Sequence, residues 1–271
     1  MRSSAAFRLG SALALSLLLG FLAIPLLAIF VEAGPGELLS SLGRDGALDA
    51  LWLSLRTSMM AIALIVAIGT PAAYLLAQRR FRGRAAVITL IELPLVLPPA
   101  AAGIALLAAF GPNGLVGGGI EDLGLKLVLQ TAGVVVALTF VAAPFYVRGA
   151  IAAFEAVDPA LLDASRTLGA PEARTFARIA VPLARGGLAS GLALAWGRAL
   201  GEFGATLLFA GSLQGRTQTA PLAIFEFLSR DFDASLALSG VLVVFSAFLL
   251  LGVKLLGGGV GPGPGSAHAG G

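Results

Sequence analysis

The sequence predicts an all-α, polytopic membrane protein with six transmembrane helices, and three observations lead there. Of 271 residues, 58% are hydrophobic and 12% charged, where a soluble domain carries about a quarter charged residues. The mean hydropathy is +0.94. The apolar residues gather in stretches of about 20, the length that crosses a hydrocarbon core as a helix. The charges lie mostly between these stretches and are sorted by sign from one side to the other. The chain has no Cys, and its one His is His268 in a Gly/Pro-rich tail. That composition excludes disulfide frameworks, thiolate metal sites and imidazole clusters, so neither a metal nor a cofactor is expected. In a membrane protein the net charge of +3 is informative through its placement, and it is no argument for nucleic-acid binding.

Taken in order, the expected spans are Leu9–Val31, Leu53–Ala77, Val87–Phe110, Leu127–Val147, Gly187–Ala210 and Leu236–Leu256. Arg2 and Arg8 precede the first, as in a secretory signal. Its apolar run exceeds the ~7–15 residues of a signal core, however, and Glu32 interrupts a clean cleavage site, which favours a retained span. An even number of spans places both termini on one side. The ends and loops of that side carry Arg2, Arg8, Arg79, Arg80, Arg82, Arg84, Arg148, Arg166, Arg174, Arg178, Arg185 and Lys254. The opposite loops carry Arg44, Lys126, Arg216 and Arg230 against nine acids: Glu32, Glu37, Asp45, Asp49, Glu121, Asp122, Glu226, Asp231 and Asp233. The basic side is therefore cytoplasmic, with both termini inside. Residues 1–256 read as one membrane domain, whereas residues 257–271, with eight Gly and two Pro, cannot bury a core and read as a disordered tail.

Residues 148–185 form an inner excursion too long for a plain connection. Asp158 can cap a helix that has Pro159 at its first position and runs to Leu168, where Gly169 supplies a left-handed stop. Pro171 opens a second helix in which Ala173, Phe176, Ala177 and Ala180 share a face, and Pro182 is expected to end it. By periodicity alone, this helix, glycine corner and helix either caps the inner ends of the spans or docks on a soluble partner.

Within the spans stand Glu92, Arg198 and Glu202. Insertion scales put a charged side chain near mid-depth at ~2.5–3.5 kcal/mol, so each needs a partner or a wet cavity. Arg198 and Glu202 are four residues apart and share a helix face, consistent with an ion pair or with a permeation path. With Gly187 at the inner boundary, Arg198 lies ~16 Å deep; Glu92 lies near the inner end of its span. Gly187, Gly191, Gly197, Gly201 and Gly204 permit close helix packing. Pro94, Pro98 and Pro99 interrupt the hydrogen-bond ladder of the third span, as a pore-lining or hinge element would.

Asp163-Ala164-Ser165, Gly169 and Ile179-Ala180-Val181-Pro182 resemble, at matching spacing throughout, the EAA loop of bacterial ABC importer permeases, with Asp, Ser and Val replacing Glu, Ala and Leu. Leu93 through Pro99, Phe140 through Arg148, Gly201-Glu202-Phe203-Gly204-Ala205-Thr206 and Arg216 through Leu222 are similar to the molybdate/tungstate and sulfate permeases, the last two stretches most to the molybdate type. The similarity covers roughly residues 50–255. It implies the MetI-like importer permease fold, a bacterial inner-membrane location, and a homodimer served by a cytoplasmic ATP-binding subunit and an extracytoplasmic oxyanion-binding protein. It also implies that Asp163, Ala164, Ser165, Arg166 and Gly169 couple to the ATPase. Pro94, Pro98, Pro99, Arg198 and Glu202 are the candidates along the permeation path. The chain has no Walker A pattern, so ATP hydrolysis is expected on a separate subunit and no catalytic residue on this one. The substrate implied is molybdate or tungstate, with sulfate or thiosulfate as the alternative. An ion-coupled secondary transporter would need no ATPase, and an intramembrane enzyme would need a nucleophile–base pair that Glu92, Arg198 and Glu202 do not supply.

Overall fold

A computed structural model describes residues 2–34, 36, 39, 40, 43 and 46–256, and among these every regular element is helical. The expected tail, residues 257–271, lies outside the described residues. Four uninterrupted helices are long and apolar enough to cross a membrane: α1 (Arg2–Glu32), α2 (Ala47–Gln78), α6 (Thr131–Glu155) and α12 (Phe232–Leu256). A fifth crossing is the helical run Glu172–Leu200, made of α8 (Glu172–Thr175), a π-helical turn (Phe176–Ala180) and α9 (Val181–Leu200). The sixth comes from two shorter helices, α3 (Arg84–Val96) and α4 (Pro99–Phe110). Short helices α5 (Gly117–Asp122), α7 (Pro159–Thr167), α10 (Gly204–Ala210) and α11 (Ala220–Leu228) fill the connections.

Helices α2, α6 and α9 form the centre, packed through small side chains such as Ala61, Ala73, Ala142, Ala150, Ala184 and Ala195 around Ile65, Leu138 and Phe154. In lipid there is little hydrophobic drive between helices, so close backbone approach supplies the attraction. Glycine makes that approach here: a Cβ on Gly187 would stand 2.5 Å from the Cβ of Ala153, and one on Gly149 would stand 3.1 Å from the Cα of Gly191. Helix α1 packs against α12 and otherwise presents exposed Leu, Phe and Ile side chains.

Five expectations are corrected. The third span is not a kinked rod: α3 and α4 meet at 118°, because Leu97 and Pro98 are both extended and Pro99 restarts the helix. Its residues nevertheless keep advancing along α6. Arg84 pairs with Glu155 and Glu92 with Arg148, then Ala102 packs on Val141 and Leu106 on Ala137. The two halves thus make one broken span. The fifth span likewise ends at Leu200 and resumes as α10 at Gly204.

The excursion is shorter than 148–185, since α6 runs on through Glu155 and the next spanning run starts at Glu172, with α7 between them. Finally, Pro182 does not end the second loop helix. The Val181 N–H bonds five residues back to the Phe176 carbonyl, and the π-turn delivers Pro182 into the first turn of α9, where its missing N–H costs nothing. The same wide turn shifts the buried face: Thr175 and Ala180 are buried and Phe176 and Ile179 half-buried, while Ala173 and Ala177 are exposed.

Candidate coupling corner and intramembrane breaks

The corner is built as its residues dictate. Asp158 Oδ1 accepts the Ala160 N–H at 2.9 Å, Pro159 occupies the first turn of α7, and Gly169 has φ +79°, the left-handed stop that an L side chain adopts at a cost. Leu162 is buried beneath the corner, while Leu168 at its apex is 87% exposed and Leu161 47%. Asp163 and Ala164 also point outward. Ser165 does not: it is buried, with its hydroxyl 2.9 Å from that of Thr175, so it fastens α7 to α8 and is not on the outer surface.

Arg166 is a clasp across Gly169. Its Nε and Nη2 donate to the two oxygens of Glu172 at 3.2 and 3.0 Å, and its Nη1 donates to Asp163 at 3.0 Å. The hydrogen bonds to Glu172 hold the guanidinium's pKa above its ordinary value. Glu172 Oε1 also accepts the hydroxyl of Tyr74, which belongs to α2, at 2.7 Å. The Tyr74 ring contacts Phe154 of α6 and Phe176 of the π-turn at centroid distances of 5.4 and 5.0 Å. Tyr74, Phe154, Glu172, Thr175 and Phe176 were not visible as site residues in the sequence. The one local signal is that Tyr74 is one of only two tyrosines in the chain.

Within the membrane domain, Arg198 and Glu202 meet at 2.6 Å across the break between α9 and α10. A break exposes the last carbonyls of one half-helix and the first N–H groups of the next, and lipid can satisfy neither. Glu202, 1% exposed, solves half of this problem: its Oε1 accepts the Ala205 N–H at 2.7 Å, capping α10. Its Oε2 has no aligned hydrogen bond and is compensated by ionic contact with Arg198. Arg198, in the last turn of α9, places positive charge where the helix dipole is negative, and its side chain keeps 28% of its surface.

The second break is adjacent. A Cβ on Gly204 would lie 2.7 Å from the Pro99 Cβ, and one on Gly103 would lie 2.8 Å from the Leu208 Cβ and 3.1 Å from the Ala205 carbonyl. Pro98 and Pro99 are exposed at this junction, Pro94 is half-buried within α3, and Glu92, further back along α3, is 3.6 Å from Arg148. The structure thus brings Pro98, Pro99, Arg198 and Glu202 to two neighbouring breaks and leaves Pro94 one turn away. Beside the corner-proximal half of the bundle, a groove of about 540 Å³ between α2, α6, α9 and α12 is lined by apolar side chains together with Arg185 and the hydrogen-bonded pair Thr70 and Tyr146, 2.7 Å apart.

Residues 69–260 match the family described as binding-protein-dependent transport system inner membrane component. The chain belongs to this family. It is accordingly a membrane-spanning transport subunit and not an enzyme. The permease is 42% identical over 233 residues to the molybdenum transport system permease protein ModB of Mycobacterium tuberculosis, covering 86% of this chain and 88% of the relative. It is 36% identical to the probable transport system permease protein NifC of Clostridium pasteurianum, covering 86% and 82%. Against the sulfate transport system permease protein CysW of Synechocystis it is 31% identical, covering 90% of each. Among solved structures, a bacterial ABC transporter that imports alginate superposes with a TM-score of 0.74 at 17% identity, covering 94% of this chain and 96% of that one. The MetNI methionine transporter superposes at 0.58 and 18%, covering 78% and 93%. At these identities the two superpositions bear on the fold alone, which is the MetI-like importer permease fold.

Proposed function

We propose that the permease is the transmembrane subunit of an ATP-driven importer for a tetrahedral oxyanion, with molybdate as the substrate. The observation that carries the ATP-driven part is the glycine-cornered projection: an exposed apolar apex, Leu168, and an exposed carboxylate, Asp163, are held on a rigid clasp below the spans. Amphipathic helices of this kind seat in grooves on soluble partners. In this reading Asp163, Ala164, Arg166 and Leu168 face a cytoplasmic ATP-binding subunit, while Ser165 and Gly169 set the shape of the corner. The substrate rests on the relatives, since identity is higher to the molybdenum permeases than to the sulfate ones.

Two copies of the chain form the path, with an extracytoplasmic binding protein delivering the anion and both termini in the cytoplasm; the segregation of Arg residues supports that orientation. The path needs donors for a dianion that would otherwise be stripped of water in a low-dielectric layer. Arg198 supplies them: a guanidinium has five N–H groups, and Glu202 engages one end of it. The breaks at Leu97–Pro98 and Gly201–Phe203 are the hinges that let the half-helices α4 and α10 move when nucleotide closes the ATPases.

The deciding experiment is uptake into vesicles that contain the permease, its ATPase and a matching binding protein, with molybdate, tungstate and sulfate compared. ATP-dependent molybdate accumulation that excess sulfate does not suppress is the expected result. Sulfate uptake at equal or higher rate selects the sulfate reading, which the resemblance to sulfate permeases favours second. Uptake driven by an ion gradient without ATP refutes both.

A further inference from the structure

The corner is tied to the membrane domain by a route that its docking role does not require. Glu172 Oε1 lies between two donors, Arg166 Nη2 at 3.0 Å and Tyr74 Oη at 2.7 Å. Arg166 reports the position of α7, since it also holds Asp163 one turn away. Tyr74 belongs to α2, four residues before that helix ends at Gln78, and is 8% exposed. Its ring is fixed on the other side by Phe154, at 5.4 Å and 76°, and by Phe176, at 5.0 Å and 54°, the latter two rings being 6.2 Å apart. One side chain of α2 therefore joins the charge clasp of the corner to an aromatic contact shared by α6 and the π-turn. Among the described residues, the other side-chain hydrogen bond between the two corner helices, Ser165 to Thr175, reaches no other span. Leu162 adds apolar burial, which is non-directional.

We propose that the Tyr74 hydroxyl, acting through Glu172 and Arg166, is the positioning contact that converts displacement of the α7 corner into displacement of α2. The proposal rests on the reading of the corner as the ATPase dock. Coupling between two sites requires an element with discrete arrangements that both sites bias, and a hydrogen bond to a carboxylate is directional enough to distinguish them, whereas ring packing tolerates sliding. Removing the hydroxyl leaves the rings packed and the outer surface of the corner unchanged. Docking should survive while transmission is lost.

The test uses the whole complex of permease, ATPase and binding protein in proteoliposomes, with Tyr74→Phe, Glu172→Gln and the double variant. Tyr74→Phe is expected to co-purify with ATPase at the wild-type ratio and to keep basal ATP turnover. Its stimulation by loaded binding protein, and substrate moved per ATP, should fall by about fivefold or more, the low end of measured couplings. Adding Glu172→Gln should cause little further loss, because both variants cut the same link. Wild-type stimulation and transport per ATP in Tyr74→Phe overturns the proposal, as do additive losses in the double variant. Should Tyr74→Phe fail to assemble, Glu172→Gln alone must show the same uncoupling, and wild-type coupling there refutes it. A separate arm tests the underlying reading: Asp163→Arg reverses the charge of the outer surface and should abolish co-purification. If it does not, the docking assignment falls, and that failure is distinct from any outcome at Tyr74.

Discussion

Replacing Glu202 by Gln tests whether the intramembrane ion pair is structural. The amide oxygen of glutamine can still accept the Ala205 N–H, so the cap on α10 persists and only the negative charge is lost. What remains is Arg198, 28% exposed, in the last turn of α9 without the carboxylate that sat 2.6 Å away. Removing one partner of a buried pair costs ~3–5 kcal/mol, and the partial exposure of Arg198 selects the lower end, about 3 kcal/mol. That corresponds to roughly two decades in the unfolding equilibrium. The assay is reversible unfolding of purified permease in mixed micelles, followed by helical signal. Because much of the loss is an uncompensated cation, Arg198→Met on the Glu202→Gln background should recover most of it. A Glu202→Gln variant within about 0.5 kcal/mol of wild type, or a double variant less stable than the single one, refutes the account of the break as an ion-paired junction. Transport gives an independent reading of the same variants: if Arg198 also serves the anion, the rescued double variant is stable and inactive.

Three further outcomes are expected. Gly187→Ala drives a methyl to 2.5 Å from the Ala153 Cβ, so α6 and α9 must separate; unfolding in micelles should show a loss of about 1–3 kcal/mol. Gly169→Val has open space around it but must hold φ near +79°, costing about 1–2 kcal/mol locally, and should lower ATPase affinity in a pull-down titration with little change in the melting of the spans. Ser165→Ala leaves the fully buried Thr175 hydroxyl without its 2.9 Å partner, and destabilisation by about 1–3 kcal/mol should accompany faster proteolysis in the corner, read by mass spectrometry of limited digests.

Much of the architecture was legible because the solvent is lipid. A span needs an uninterrupted apolar length, and α1, α2, α6 and α12 announce themselves on that ground alone. The corner was legible for a different reason. Asp158, Pro159 and Gly169 are conformational statements, each placing a cap, a first turn or a left-handed stop without reference to anything distant. Where the reading failed, a tertiary contact or a change of helical register decided the outcome. Pro182 looked like a terminator because a proline removes one rung of an α-helical ladder. A π-turn had already displaced that rung, and no local residue pattern marks a five-residue turn. Ser165 looked like part of a docking motif, yet its hydroxyl is turned to Thr175, ten residues on, by the fold of the corner itself.

The two intramembrane breaks show the same limit and point to its physical origin. Pro98 and Pro99 advertise an interruption because neither can donate a hydrogen bond, whereas Gly201 and Gly204 advertise only close packing. The structure makes the two features one: Gly204 lacks a side chain where the Pro99 ring sits, and Gly103 lacks one where Leu208 and the Ala205 carbonyl sit. Each break thereby shields the other, since the start of α10 lies on the start of α4 where lipid would otherwise meet unpaired backbone. A junction packed this closely has no room to change on one side alone. Movement of α4 relative to α3 must carry α10 with it, and with α10 goes the carboxylate of Glu202 that holds Arg198. The charge pair is thus mechanically attached to both breaks, so any rearrangement of the broken spans would alter what Arg198 can reach.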